Sequence, residues 1–312
     1  MGRICMRHAV LYQDIEVVAI NDSMLKVDDM VTKFRSIPVH GNFKRDVRAG
    51  KDGKLYINNK PIHVFSKVKS EDINWGSVGA DHAIESSGSF TTRAKAAAHL
   101  MGGAKKVIIT AISNVPMFVC SVNIDAYKPE YTVISSASST INCIAPIVKV
   151  VHDKFGIEEV FMSSIRAADV TDNKSVANNI IPTYTEAAEV VRMIVLSLDD
   201  KFTDLEFRIP VVNASVIDLV VKLKRTTTYH AITAAMKEAE EGPLKGVLSV
   251  SDNVLASTNL LERTESAVYY PELQFTVLDR SFKLVAYYAN DWAYLKRVCD
   301  LLAYVAKKDA ER

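Results

Sequence analysis

Residues 135–143 spell Ser-Ser-Ala-Ser-Ser-Thr-Ile-Asn-Cys, and this segment carries the side chains best suited to chemistry in the chain. Cys143 follows Ser139 by one helical turn if the segment is helical. A serine hydroxyl becomes a useful nucleophile only beside an activating base, whereas a cysteine reacts as its thiolate. By side-chain type the segment could therefore carry a nucleophile, and we favour a packed helical thiol as the interpretation of Cys143.

Strands and helices alternate in the part of the chain before this segment. Ile15–Ile20, His82–Glu85 and Val107–Ala111 are short apolar runs typical of buried strands. A helix is predicted through Thr92–Leu100, between the last two runs. This alternation predicts a doubly wound parallel sheet, the arrangement known as the Rossmann type.

The part of the chain after residue 138 has a different pattern. Ser139 is predicted to open a helix that ends at Gly156, since apolar residues recur between them at helical spacing. Phe207–Leu223 is long and β-rich. These features predict an α+β domain with an antiparallel sheet and helices on one face.

Composition excludes several function classes. The chain has 312 residues and a formal net charge of +1, which gives no argument for binding nucleic acid or an acidic membrane. Its four cysteines lack metal-ligand spacing, so we expect reduced thiols and no metal site. No apolar run is long enough to span a bilayer, and the first residues lack a signal-peptide core, so we expect a cytoplasmic protein.

The segment 135–143 resembles the active-site segment of the phosphorylating glyceraldehyde-3-phosphate dehydrogenases, which is Ser-Asn-Ala-Ser-Cys-Thr-Thr-Asn-Cys in that family. Val18–Asp22, Thr91–Gly103 and Phe207–Pro210 also resemble family landmarks. The chain is identified as a divergent and N-terminally truncated member. The resemblance implies an NAD-binding-type domain of residues 1–138 and 291–312, with its first strand missing, and a catalytic-type domain of residues 139–290.

The resemblance implies NAD as the cofactor. Asp22 ends the second strand, where a carboxylate binds ribose hydroxyls and disfavours a 2′-phosphate, although it could equally cap the strand end. The start of the chain resembles a glycine turn entered halfway, in which Cys5 replaces the third glycine. The cofactor-binding positions implied by the family are Gly2, Arg3, Ile4, Asp22, Ser87, Thr110 and Asn290.

The same resemblance places Ser139 at the nucleophile position and Arg166 at the position of the family's catalytic histidine. Arginine keeps its proton at neutral pH, so Arg166 could stabilise an oxyanion but could not act as the base. Glu186 stands where the family has a glycine, and a carboxylate there should repel phosphate. The substrate and phosphate positions implied by the family are Ser138, Thr140, Thr171, Thr185, Glu186 and Arg208.

Three functions remain open at this point. The first is an NAD-dependent oxidoreductase acting on a phosphorylated aldehyde with phosphate as acceptor, and the substitutions predict that it is impaired. The second is a non-catalytic binding or regulatory protein, and the third is the product of a decaying gene copy. The resemblance implies a homo-oligomer or a hetero-oligomer with active family subunits. The short stretch between Lys174 and Asn179 should weaken it, because the family has a long loop there.

Overall fold

The computed structural model describes residues 1–12, 14–167, 178–195, 198, 201–253, 256–273, 276–278 and 280–311. The chain forms two compact units. The first contains residues 1–117, 127–136 and 298–312, and the second contains residues 118–126 and 137–297. The second unit thus includes residues 118–126, 137–138 and 291–297, which the predicted domains assigned to the first. Residues near 297 belong there because Arg297 donates a hydrogen bond to the Gly246 carbonyl (2.7 Å).

The first unit combines short helices with short strands. Its helices are α1 (Gly2–Ala9), α2 (Val27–Arg35), α3 (Arg93–Ala96) and α4 (Ala98–Met101). Its strands are β1 (Ala19–Asn21), β2 (Ser36–Ile37), β3 (Gly41–Asn42), β4 (Val47–Ala49), β5 (Leu55–Ile57), β6 (Lys60–Phe65), β7 (His82–Glu85), β8 (Lys106–Ile109) and β9 (Val133–Ser135). The helix predicted at 92–100 is therefore two short helices that meet at Ala97.

Parallel pairing occurs in this unit, but the parallel strands belong to two sheets. One has the order β1-β6-β5-β4 and the other β7-β8-β9. β1 is parallel to β6, and β7, β8 and β9 are parallel to one another. Among the described strands, β1 pairs only with β6 and β7 only with β8. The α/β class predicted from the sequence is confirmed, and the parallel strands form two separate sheets.

The second unit is built around one large sheet. Its helices are α5 (Ser139–Phe155), α6 (Ala187–Ile194) and α7 (Tyr229–Glu241). Its strands are β10 (Ile157–Ala167), β11 (Ile181–Thr183), β12 (Phe202–Ile209), β13 (Ser215–Leu223), β14 (Leu248–Val250), β15 (Ala267–Tyr270), β16 (Thr276–Leu278) and β17 (Ser281–Tyr288). The helix α8 (Trp292–Ala310) begins in this unit and ends in the first.

The antiparallel sheet expected from the sequence is mixed in the structure. Its order is β11-β12-β10-β13-β17-β15-β14, with β16 beside β17. β13 pairs with β10 on one side and with β17 on the other. Both pairings are antiparallel, as the sequence predicted for this sheet. β10 and β12 are parallel because α6 lies in the connection between them, and such a crossover returns the chain in the same direction.

The helix α5 follows from its local sequence. Ser138 caps its N-terminus, and Ile144, Ile147 and Val151 are fully buried along one side of it. Gly156 ends the helix at a φ of 69°, a left-handed value that favours glycine. In the part of the chain that the structure describes, none of the helices combines the length and the apolar character needed to cross a membrane.

Candidate functional site

The predicted nucleophile position, Ser139, is the first residue of α5. The Ser138 Oγ accepts a hydrogen bond from the Ile141 N–H (3.4 Å), which places Ser139 in the first turn. Before it, Ala137 has a φ of 56°, a conformation that costs a residue with a Cβ roughly 1–2 kcal/mol. The Tyr294 hydroxyl donates to the Ala137 carbonyl (2.8 Å) and holds this turn. The packing around the turn thus fixes where Ser139 sits.

The Ser139 hydroxyl is hydrogen-bonded to no base in the described part of the chain. Its side chain is buried, and no hydrogen bond joins its hydroxyl to a histidine, carboxylate or lysine there. His152, on the same helix, accepts from the Ile157 N–H (3.2 Å) through Nδ1. Burial lowers the pKa of this histidine, and its bond at the far end of α5 gives it a structural role.

Cys143 lies one turn further along α5 and is fully buried. Burial raises the pKa of its thiol well above the usual range. A buried thiol that keeps its proton is a poor nucleophile. The structure therefore supports a packing role for Cys143.

We predict that iodoacetamide will leave Cys143 unmodified in the native protein at neutral to mildly alkaline pH. Alkylation needs a deprotonated thiol that the reagent can reach. Burial keeps the Cys143 thiol protonated and also keeps the reagent away from it. Peptide mass spectrometry after timed labelling measures this, with guanidinium-unfolded protein as the positive control. Rapid labelling of Cys143 in the folded chain would show that the helix opens there.

Two arginines and one glutamate share a face of the sheet in the second unit. Arg166 of β10 and Arg208 of β12 are direct partners in the parallel register. Glu206 precedes Arg208 by two residues on the same face, and its Oε1 is 3.6 Å from the Arg208 Nε. Burial raises the pKa of Glu206, and the charges of Arg166 and Arg208 oppose this rise. The two arginines can hold an anion, and among the described residues Glu206 makes no hydrogen bond to Ser139.

Tyr288 connects this cluster to the start of α5. Its hydroxyl is 2.9 Å from the Thr140 Oγ1, and both residues are buried. Burial raises the pKa of the phenol, whereas the bond with Thr140 and the charge of Arg166 lower it. The charge of Arg166 thus acts on Tyr288, which contacts Thr140, the residue next to Ser139. Thr140 has its hydroxyl engaged by Tyr288.

The other predicted anion positions lie at the start of α6. The Thr185 Oγ1 accepts from the Ala187 N–H (3.1 Å). Glu186 is exposed at the N-cap and makes no side-chain capping bond. Its charge interacts favourably with the helix dipole, and the Ala188 N–H already donates to Asp204 (3.0 Å), so both features disfavour an external anion at this helix end. Thr171 lies outside the described residues.

The first predicted cofactor positions form the first turn of α1. This turn has no acidic residue and no side-chain cap. A Cβ at Gly2 would come within 2.8 Å of the Ser86 Oγ, so glycine permits a close approach to the end of β7. The Arg3 side chain forms a hydrogen bond within the protein, since its Nη1 donates to the Lys33 carbonyl (2.9 Å). Ile4 is buried in the unit.

Asp22 follows β1 and caps a local turn. Its Oδ1 accepts from the N–H groups of Met24 (2.8 Å) and Leu25 (3.1 Å). This is the strand-end capping role that the sequence left open. Both bonds use the same oxygen, so Oδ2 can still accept from a ribose hydroxyl.

Ser87 and Thr110 are held by Glu85, a buried residue that the sequence reasoning missed. The Glu85 Oε1 accepts from the Ser87 N–H (2.6 Å), and the Thr110 Oγ1 donates to the Glu85 carbonyl (3.1 Å). The other carboxylate oxygen is 2.9 Å from the His99 Nε2, and the His99 Nδ1 accepts from the Trp75 Nε1–H (3.1 Å). A buried Trp75-His99-Glu85 chain thus fixes the loop after β7.

Asn290 belongs to the second unit and is part of a polar cluster. Its Oδ1 accepts from the Ser215 Oγ (2.6 Å), and its N–H donates to the Asn213 Oδ1 (3.1 Å). Asn213 also donates to Asp291 (2.9 Å). These bonds fix the orientation of the Asn290 amide.

The sequence reasoning did not select Glu85, His99, Glu206 or Tyr288. One signal was available for Glu206, because alternation along β12 puts it on the same face as Arg208. A lone buried glutamate at the end of a strand, such as Glu85, gives no such signal without its partners in space.

Comparisons with known proteins agree on one family. The glyceraldehyde 3-phosphate dehydrogenase NAD binding domain matches residues 1–93, and the C-terminal domain of the same family matches residues 138–290. A glyceraldehyde-3-phosphate dehydrogenase of Omphalotus olearius is 47% identical over 99% of this chain and 96% of its own length. That of Phanerodontia chrysosporium is 46% identical over the same shares. Glyceraldehyde-3-phosphate dehydrogenase 2 of Drosophila pseudoobscura pseudoobscura is 42% identical, over 99% of this chain and 97% of its own.

Proposed function

The chain belongs to the glyceraldehyde-3-phosphate dehydrogenase family, and we propose that it binds the family's ligands without running the covalent oxidation of an aldehyde. The observation that carries the proposal is that, among the described residues, the Ser139 hydroxyl is hydrogen-bonded to no base, while an arginine, Arg166, stands at the position of the family's base. Both departures remove parts of one mechanism. The chain is therefore a non-catalytic or very weak member of an NAD-dependent oxidoreductase family.

NAD is the cofactor of the family's N-terminal domain, and the residues present in the first unit fit it. The first turn of α1 has no side-chain cap, and the Ile4 and Cys5 N–H groups donate to the Met1 carbonyl, so the N–H groups of Gly2 and Arg3 are the ones that would donate to a pyrophosphate. Asp22 would accept from a ribose hydroxyl through Oδ2. When bound in the family's enzymes, NAD supplies the hydride acceptor.

The residues of the second unit support anion binding more than catalysis. Among the described residues, Arg166 and Arg208 are register partners on β10 and β12, and their charges act on the buried Glu206, as does the carboxylate of Asp204. Such a pair favours a phosphate or a carboxylate and would stabilise an oxyanion. A hydride-transfer step also needs a proton acceptor at the reacting oxygen, and an arginine cannot fill that role.

We expect NADH formation from glyceraldehyde 3-phosphate, NAD and phosphate to be at least about 10³-fold slower than in an active relative, since both nucleophile and base are replaced. A thermal-shift titration with NAD should still raise the melting temperature, because ligand binding stabilises the folded state. Robust turnover that survives thiol alkylation would contradict the proposal. The absence of both turnover and an NAD shift would favour the decaying gene copy.

The location and the partners complete the proposal. We place the protein in the cytoplasm, with a phosphorylated small molecule as the ligand of the second unit. Family members are generally oligomeric. A homo-oligomer or a mixed oligomer with active subunits is thus the assembly to look for. Analytical ultracentrifugation of the chain alone, and of the chain mixed with an active relative, separates the two.

A further inference from the structure

Two cysteines from opposite ends of the sequence meet inside the first unit. The Sγ atoms of Cys5, in α1, and Cys299, in α8, are 4.0 Å apart. Both side chains are buried, and the Cys299 thiol also faces the Cys5 carbonyl (3.7 Å). No cysteine of the chain is in a disulfide. We propose that Cys5 and Cys299 are an oxidisable pair that closes to a disulfide joining α1 to α8.

Contacts around the pair keep the two helices in register. The Tyr12 hydroxyl, just after α1, donates to the carboxylate of Asp300, the residue after Cys299. On its other side, α1 is fixed by Arg7, whose guanidinium donates to the carbonyls of Phe34 (2.7 Å) and Gly41 (3.1 Å). The sulfur atoms are thus placed together by packing on both sides of α1.

The remaining distance is small compared with what side chains can close. A disulfide has an S–S distance of about 2.05 Å, so the sulfurs must approach by roughly 2 Å. Rotation of two cysteine side chains between rotamers supplies movement of that size. The other two cysteines belong to the second unit, where the Cys120 thiol faces the Arg297 carbonyl (3.6 Å) and Cys143 is inside α5.

The oxidant that we propose is a hydroperoxide. The Cys5 thiolate attacks the terminal peroxide oxygen, the O–O bond breaks, and a sulfenic acid and an alcohol form (water, if the oxidant is hydrogen peroxide). The Cys299 thiolate then attacks the Cys5 sulfur, the S–O bond breaks, and hydroxide leaves as water after taking up a proton. The two sulfurs together lose two electrons and the peroxide gains them.

Access to the buried thiols comes from opening of α1. This helix has only eight residues, and helices of that length are stable only through packing. Local opening of a short helix costs less free energy than global unfolding, so Cys5 becomes reachable while the rest of the unit stays folded. Closure of the disulfide then prevents further opening, so the oxidised chain should melt at a higher temperature.

The test treats the full chain with hydrogen peroxide and measures its intact mass and its non-reduced peptide map. We expect a product lighter by two hydrogen atoms, a linked peptide pair containing Cys5 and Cys299, and reversal by dithiothreitol. The product should be absent from Cys5→Ser and Cys299→Ser and retained in the matched variants Cys120→Ser and Cys143→Ser.

Mapping in the unmodified chain keeps the test decisive if a core variant fails to fold. A native chain that gains only oxygen at Cys5, or that links other cysteines, would overturn the proposal. A Cys5–Cys299 disulfide that forms equally fast in guanidinium would also overturn the proposal, because its formation would then not depend on the folded structure.

Discussion

The double variant Ser139→Cys with Arg166→His will form NADH from glyceraldehyde 3-phosphate at least about 10²-fold faster than either single variant, since a positioned base contributes 10² or more. Residue 139 is buried, so a lone cysteine there would keep its proton and react slowly. A histidine at position 166 of β10 could take that proton and stabilise the thiolate as its imidazolium. Initial-rate absorbance measurements at saturating NAD and phosphate give the comparison.

A matched variant separates the base from the loss of charge. Ser139→Cys with Arg166→Gln also removes the arginine charge but introduces no base, so it should behave like Ser139→Cys alone. The gain in the histidine variant should follow a rising pH profile through the titration of the new pair. Equal rates for the glutamine and histidine variants would mean that residue 166 does not face residue 139. We would then have to revise the assignment of the base position.

The family and the general fold could be predicted from the sequence because their signals are local. The segment 135–143 encodes both an N-cap at Ser138 and the helix that follows, so its resemblance to an active-site segment also fixed its secondary structure. The helix end at Gly156 follows from the same kind of local signal. Such features depend on neighbours in sequence, and the sequence contains those neighbours in order.

Features that depend on partners in space could not be predicted. β10 and β12 are parallel only because the chain between them crosses over, and the strand pattern alone favoured an antiparallel sheet. The division of the parallel strands into two sheets is likewise a matter of pairing. The electrostatic environment of Glu206 depends on the strand register that aligns Arg166 with Arg208. The role of Glu85 likewise depends on His99, which lies in the helix α4 that follows and contacts it only in the folded chain.

Glu85 supports the second large prediction, that Glu85→Gln will lower the free energy of unfolding by about 2 kcal/mol at neutral pH, the cost of leaving a buried donor unpaired. The carboxylate accepts on both oxygens, from the Ser87 N–H on one and from the His99 Nε2 on the other. Glutamine has one acceptor oxygen, so one of these donors must face its amide N–H₂. Chemical denaturation of both proteins gives the difference. The matched control is Glu71→Gln, at an exposed position that makes no such pair, and it should change stability little.

The pH dependence of this difference tests the electrostatic part of the argument. Burial alone would raise the pKa of Glu85, but the hydrogen bonds from His99 and Ser87 outweigh it, and the pKa is lowered. A carboxyl group whose pKa is lower in the folded state than in the unfolded state stabilises the protein at pH values above its unfolded-state pKa. That stabilisation is lost as the pH falls through the folded pKa. The gap between wild type and Glu85→Gln should therefore be constant near neutral pH and narrow on the acid side of the ordinary glutamate range. A gap that stays constant into acid would mean that the charge of Glu85 contributes nothing and that the cost comes from geometry alone.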